Sequence, residues 1–284
     1  MDKPTKLIVQ GPQAALHVAY RVADIAQARS VLQISEHAFR CDDVSSDEET
    51  RDAVRGACMG AGVDGAFVAA DLALERFRVL VMDMDSTLIT IECIDEIADM
   101  QGLKSEVAEI TEAAMRGELD FRDSLMKRVA LLEGLDASAL DQVFEQRLKL
   151  SKGANTLLQA MKAAGLRTVL VSGGFTYFTE RLQQSLPLDL TRANLLEVSH
   201  GKLTGRVMGD IIDAQAKRRT VEEECTALGV STSAAIVIGD GANDLDMMSV
   251  AGLSVAYRAK PVVQQKASIA LNFSGLDGIL NLFR

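Results

Sequence analysis

Several features that would send a chain toward a membrane, a nucleic acid or an oxidising compartment are missing from this one. No apolar run approaches the ~18 residues that a membrane-spanning helix needs. The opening stretch Met1-Asp2-Lys3-Pro4-Thr5-Lys6 leads into a strand and lacks the apolar segment of a signal peptide. Lysine and arginine nowhere gather into a block, and the formal net charge is -10, which argues against nucleic acid or an anionic membrane as a partner. The four cysteines, Cys41, Cys58, Cys93 and Cys225, are scattered without metal-ligand spacing and read as reduced core residues. What is present, 48% hydrophobic and 25% charged residues among 284, suits a globular cytoplasmic enzyme of one large or two modest domains.

Residues 1 to about 75 read as a separate small α+β unit. Leu7-Ile8-Val9 is a strand, and apolar residues then recur at helical spacing through Leu16, Tyr20, Ala23 and Ala26. Two short strands follow at Val31-Leu32-Gln33-Ile34 and Ala38-Phe39-Arg40. Ser46-Asp47-Glu48-Glu49 then starts a second helix, and Val63 to Val68 forms a last strand. No cluster of chemically useful side chains falls in this unit. By element order alone it is similar to an ACT-type regulatory domain, which could pair two chains into a homodimer or simply pack on the rest.

From Arg78 onward strands alternate with helices, the pattern of an α/β fold with a Rossmann-like parallel sheet. The continuous apolar runs Leu166 to Val171 and Ala234 to Ile238 are expected of parallel strands covered on both faces. Leu196 to Val207 reads as a hairpin with its turn near Ser199 to Lys202. Between roughly 90 and 152 the period is purely helical, as expected for a cap inserted after the first strand. Within it Phe121, Leu125, Arg128 and Leu132 share a face, which sets a guanidinium on an apolar stripe. An unpaired buried guanidinium is costly, so Arg128 faces either an internal acid or a pocket. As a fork donor it would suit a substrate carboxylate.

The densest chemical signal is Val79-Leu80-Val81-Met82-Asp83-Met84-Asp85-Ser86-Thr87. Strand alternation points Asp83 and Asp85 the same way at the strand's end. Their repulsion is relieved by a hard divalent cation or a shared proton. Such a pair suits phosphoryl transfer, one carboxylate attacking phosphorus and the other handling the proton. Ligands in open α/β sheets sit beyond the strands' carboxyl ends, so Asp83, Ser172 and Asp240 converge on one crevice. Ser172-Gly173-Gly174 can wrap phosphate oxygens with hydroxyl and amide donors, although an ordinary strand-to-helix turn would look the same. Lys217, just before a predicted helix, is either a phosphate-neutralising cation or a surface lysine, the latter being the reading for Arg218 and Arg219. The turn Gly239-Asp240-Gly241-Ala242-Asn243-Asp244 is too acidic to explain without a cation.

Taken in this order, these residues resemble the haloacid dehalogenase superfamily over about residues 78 to 284. Asp83-Met84-Asp85-Ser86-Thr87 matches its first motif, Ser172 its second, Lys217 its third and Gly239 to Asp244 its fourth. Within it, Asp83 to Leu88, Glu92, Asp95-Glu96 and Ser172-Gly173-Gly174-Phe175 look like the phosphoserine phosphatase family, and the helical insert matches its cap. The resemblance implies Mg²⁺-dependent hydrolysis of O-phospho-L-serine, the last step of serine biosynthesis, through an aspartyl-phosphate. Asp83 would be the nucleophile and Asp85 the acid and base, with a raised pKa. Mg²⁺ would be held by Asp83, Asp240 and the backbone carbonyl of Asp85, and the phosphate by Ser172, Gly173 and Lys217. Glu92 would take the substrate ammonium and Arg128 its carboxylate, with Phe121 closing over the site, although Glu92 also suits a plain helix start. Asn243 and Asp244 would order the loop, the metal's waters or Lys217.

Two other readings are weighed against this one. Transfer of the phosphoryl group to a second alcohol such as homoserine would use the same nucleophile. An amino-acid-sensing protein, the small unit governing a binding module, would have no need of Asp83, Asp85, Lys217 and Asp240 together. A generic nucleotide-binding Rossmann domain is disfavoured because no glycine-rich fingerprint follows the first strand.

Overall fold

The computed structural model describes residues 4–115 and 118–284. The small unit runs β1 (Thr5–Gln10), α1 (Leu16–Ile25), β2 (Ser30–Ser35), β3 (Ala38–Asp42), α2 (Glu48–Ala61) and β4 (Asp64–Ala69). Every element expected there is present. Asp47 accepts a hydrogen bond from Thr50 N at 2.8 Å to cap α2, and Glu48 and Glu49 sit in its positively polarised first turn. Gly62, at φ 68°, ends that helix in the left-handed conformation. The strands form an antiparallel sheet in the order β2-β3-β1-β4, the split βαβ arrangement.

Alternation along β1 gives the sheet two different faces. Leu7 and Val9, with Phe39 and Cys41, pack on Val18 and Val22 of α1 and Val54 and Cys58 of α2. Ile8 points the other way and, with Ala66 and Val68, joins the hydrophobic core of the larger unit. The small unit therefore has a core of its own and is also welded to its neighbour. The weld includes Asp64, whose carboxylate accepts hydrogen bonds from the backbone N–H groups of Asn272, Phe273 and Ser274.

The larger unit begins with β5 (Val79–Met82) and continues through an insert of four helices, α3 (Cys93–Asp99), α4 (Lys104–Met115), α5 (Phe121–Ala130) and α6 (Ser138–Gln146). The remainder is α7 (Ala154–Ala163), β6 (Arg167–Phe175), α8 (Thr176–Ser185), β7 (Leu190–Ser199), β8 (Lys202–Met208), α9 (Ala214–Ala227), β9 (Ala235–Gly239), α10 (Leu245–Val250), β10 (Leu253–Tyr257), α11 (Pro261–Lys266) and β11 (Ile269–Leu271). Its sheet has the order β11-β10-β9-β5-β6-β7-β8, parallel except for β8.

All four residues of β5 are buried, because helices cover both faces of the sheet. Val79 and Val81 pack toward Val221 of α9 and Met247 of α10. Leu80 and Met82 pack into the other layer, with Leu157 and Phe178 of α7 and α8. The expected hairpin is β7–β8, turning at His200 and Gly201, both at positive φ. Its tip is stitched to the α5–α6 connection by backbone bonds from Gly134 N to Leu203 O, Leu203 N to Leu135 O and Ala137 N to Gly201 O, each 2.8 Å. Among the described residues no helix is long and apolar enough to cross a membrane.

Candidate active site

Three parallel strands deliver the site, and the switch in strand order between β5 and its two neighbours opens a crevice at their carboxyl ends. The β5 ladder ends at Met82, three residues short of Asp85, so simple strand alternation does not extend through the pair. Beyond it the chain makes one wide turn over Met84–Leu88, with Asp85 extended and Ser86 left-handed at φ 54°. Asp83 and Asp85 thus reach the same cavity through a turn rather than through the pleat of a strand.

Asp83 is 5% exposed, and its Oδ1 accepts from Met84 N and from Lys217 Nζ, both at 2.8 Å. Lys217 is entirely buried and also reaches Asp244 Oδ1 at 2.8 Å. It lies inside the first turn of α9, not before the helix, where Asp213 caps the helix by accepting from Ala216 N. Arg218 and Arg219 are exposed, as expected. Asp244 accepts through its other oxygen from Asp240 N at 3.1 Å and Gly241 N at 3.0 Å, which orders the acidic loop. Thr87 donates to Asp240 Oδ1 at 3.0 Å and ties that loop to the β5 turn.

Carboxylate oxygens of Asp83, Asp240 and Asp244 lie within 4.8 Å of one another. Among the described residues Lys217 alone is ion-paired with these three acids, so the cluster holds more negative charge than that ammonium neutralises. Burial, then Asp244, push the Asp83 carboxyl well above its usual range, against the pull of Lys217. Burial, Asp244 and Glu92 together raise Asp240 to about 7. Burial lowers the proton affinity of Lys217, but Asp244 and Asp83 outweigh it and leave a firm cation. Hard oxygen donors in charge deficit fit a divalent cation such as Mg²⁺. The side-chain set is Asp83, Asp240 and Asp244; the Asp85 carboxylate turns instead to Cys93 N at 3.0 Å.

Burial and the neighbouring Glu92 raise Asp85 to about 7, opposed by its hydrogen bonds from Cys93. A Cβ at Gly174 would lie 2.6 Å from Asp85 Oδ2, so only glycine admits the carboxyl there. The cavity in front has a volume of about 760 Å³. Asp83, Asp85, Ser172, Gly173, Asp240 and Asn243 form its floor, and Glu92, Phe121 and Arg128 form the part supplied by the insert. Every residue expected at the site lines this cavity except Lys217, which lies behind Asp83, and its partner Asp244. Ser86 donates to Glu92 Oε1 at 2.7 Å, and burial raises the Glu92 pKa. Burial depresses Arg128, while Asp95, Glu92 and Asp85 pull it back toward the charged form. The Phe121 ring packs so closely over Gly173 that a Cβ there would meet it at 2.8 Å.

One expected residue has a further part, and one contributor is additional to the expected set. Asp244 belongs to the carboxylate cluster itself, beyond its ordering role. Lys260 lines the cavity within electrostatic reach of Glu92, and its N–H donates to Asp240 O at 3.1 Å. Its signal is positional, because it stands between a buried strand and Pro261 at the first turn of a helix.

A profile of haloacid dehalogenase-like hydrolases matches residues 77–252, and this chain belongs to that family. More particularly, the phosphoserine phosphatase of Polaromonas sp. is 54% identical over 219 residues, covering 75% of this chain and 93% of that protein. A solved structure of a probable phosphoserine phosphatase from Vibrio cholerae, in unliganded form, matches with a TM-score of 0.83 at 34% identity, over 98% of this chain and 86% of that one. Another, a phospho-aspartyl intermediate analogue of phosphoserine phosphatase, matches with a TM-score of 0.69 at 37% identity, over 73% of this chain and 99% of that one.

Proposed function

We propose that this chain hydrolyses O-phosphoserine to serine and phosphate, the closing step of serine biosynthesis, in the cytoplasm. The observation that carries the reading is one cavity joining two complementary sets. Asp83, with Lys217 behind it, meets phosphorus, while Glu92 and Arg128 offer one anion and one cation to an amino-acid zwitterion. The phosphoserine phosphatases among its relatives support the same substrate.

In this reading Asp83 attacks phosphorus in line and the seryl oxygen leaves, giving an aspartyl-phosphate. The buried Lys217 ammonium keeps the Asp83 carboxylate oriented and offsets its charge. Asp85, raised to about 7, is protonated often enough near neutrality to donate to the leaving oxygen. Ionised afterwards, it takes a proton from the attacking water. Ser172 and the Gly173 backbone hold the phosphoryl oxygens, while Phe121 and the helical insert exclude bulk water. Mg²⁺ would be held by Asp83, Asp240 and the Asp85 backbone carbonyl, with Asp244 beside them in the same cluster, and would supply neutralising charge at the phosphoryl group.

Phosphate release with Mg²⁺ from a panel of phosphoesters tests the proposal. Strong preference for phosphoserine is the expected result. Turnover of other esters in preference to phosphoserine would overturn the assignment of Glu92 and Arg128. Phosphate transfer to added homoserine without net release would favour a transferase.

A further inference from the structure

The β6–β7 ladder pairs Val171 with Arg192 and resumes at Phe175 with Asn194. Three residues, Ser172, Gly173 and Gly174, therefore stand opposite the single residue Ala193. Such a bulge releases backbone groups from the ladder and re-aims them, and here the bulged residues are those assigned to the phosphate. The side chain of Asn194 replaces part of the lost pairing. Asn194 is 0% exposed, its Nδ2 donates to Gly173 O at 2.7 Å, and its Oδ1 accepts from Ile212 N at 2.8 Å. Asparagine is disfavoured within strands, and a buried amide is costly unless both ends are bonded. Both ends are bonded here, to two different functional elements.

The second partner gives the contact its meaning. Ile212 immediately precedes Asp213, the cap of α9, and four residues beyond that cap Lys217 reaches Asp83 and Asp244. The Ile212 carbonyl also lies 3.6 Å from where a Cβ of Gly173 would stand. One primary amide thus spans the phosphate loop and the start of the helix that carries the buried lysine. We infer that Asn194 is a positioning residue, setting the distance and orientation between the Ser172–Gly173 loop and the Lys217 helix so that both address one phosphoryl group. The inference deepens the proposed function and rests on its assignment of Ser172 and Gly173 to phosphate. Asn194 touches no substrate and acts only through Gly173 and Ile212.

Asn194→Asp is the sharpest test. It keeps the shape and the acceptor for Ile212 N but sets an oxygen against Gly173 O. Inhibition by inorganic phosphate and by serine, with Mg²⁺ present, separates a positioning role from general loosening. The inference predicts a folded variant whose phosphate Ki rises about 10-fold and whose kcat/KM falls about 100-fold, the scale of a misplaced catalytic group. The serine Ki should stay within about twofold, because Glu92 and Arg128 are untouched. Should Asn194→Asp fail to fold, Asn194→Ser carries the same prediction, since its hydroxyl is too short to span both partners. Equal weakening of phosphate and serine, or kcat/KM within about twofold of wild type, would overturn the inference. A wild type inactive on phosphoserine but active on another ester would overturn the substrate reading alone, and the same phosphate measurement would still judge Asn194.

Discussion

Two groups of carboxylates, one in each unit of this molecule, are treated in opposite ways. Asp64, on β4 of the small unit, is 3% exposed and accepts from three consecutive backbone amides at 2.6–3.2 Å. The contact joins the two units. Asp83, Asp240 and Asp244 lie in the larger unit with their oxygens within 4.8 Å of one another, and among the described residues Lys217 is the one cation paired with them. The first arrangement is satisfied by the protein alone. The second is left in deficit, which is costly for folding and useful for holding a cation and a phosphoryl group. A buried acid with enough donors reads as architecture, and buried acids sharing too few read as chemistry.

This contrast can be broken by substitution. Asp83→Asn should lower phosphoserine turnover by about 10⁴-fold or more, as loss of a nucleophile does, while leaving the protein folded by circular dichroism. Arg128→Ala should raise the phosphoserine KM about 10- to 100-fold, the value of a charge-assisted hydrogen bond. It should hardly affect phosphoethanolamine, which has no carboxylate, and an equal loss on both esters would remove Arg128 from substrate recognition. Asp64→Ala should do the reverse of Asp83→Asn. It strands three amides and should lower unfolding free energy by about 2–3 kcal/mol in denaturant titration, with kcat within about twofold of wild type. A catalytic defect without a stability loss would erase the distinction between the two kinds of acid.

The smallest effect concerns pH. Asp85 and Asp240 rise from 3.8 to about 7 on folding, so between those values the metal-free folded state binds more protons than the unfolded state. Their contribution is fully present below about pH 3.8 and is lost as pH rises through about 7. In EDTA, Asp240→Asn should therefore melt above wild type by about 2 °C near pH 8, with the gap closing toward pH 4. A gap independent of pH would mean that the cluster is not in charge deficit.

How much of this was legible in the sequence depended on the separation of the partners. The strand ending at Asp83-Met84-Asp85, the glycine-flanked Asp240 turn and the amphipathic Phe121–Arg128 helix declare themselves within a few residues, because local periodicity governs them. Arg128 was readable as a cation on an apolar face before any cavity was known. The burial of Lys217 was not, since its neighbours Arg218 and Arg219 are exposed and only the fold brings Asp83 and Asp244 to it. Asp64 finds its donors 208 to 210 residues away, beyond the reach of any local pattern. Asn194 left one faint mark, a polar amide at an inward position of a strand.

Asp83 as nucleophile is tested most directly by quenching the reaction with ³²P-labelled phosphoserine in acid during turnover. Reaction through Asp83 gives a protein-bound label, stable to acid and released by hydroxylamine, that is absent from Asp83→Asn. Turnover without any bound label, or an equal label on the Asp83→Asn protein, would contradict it.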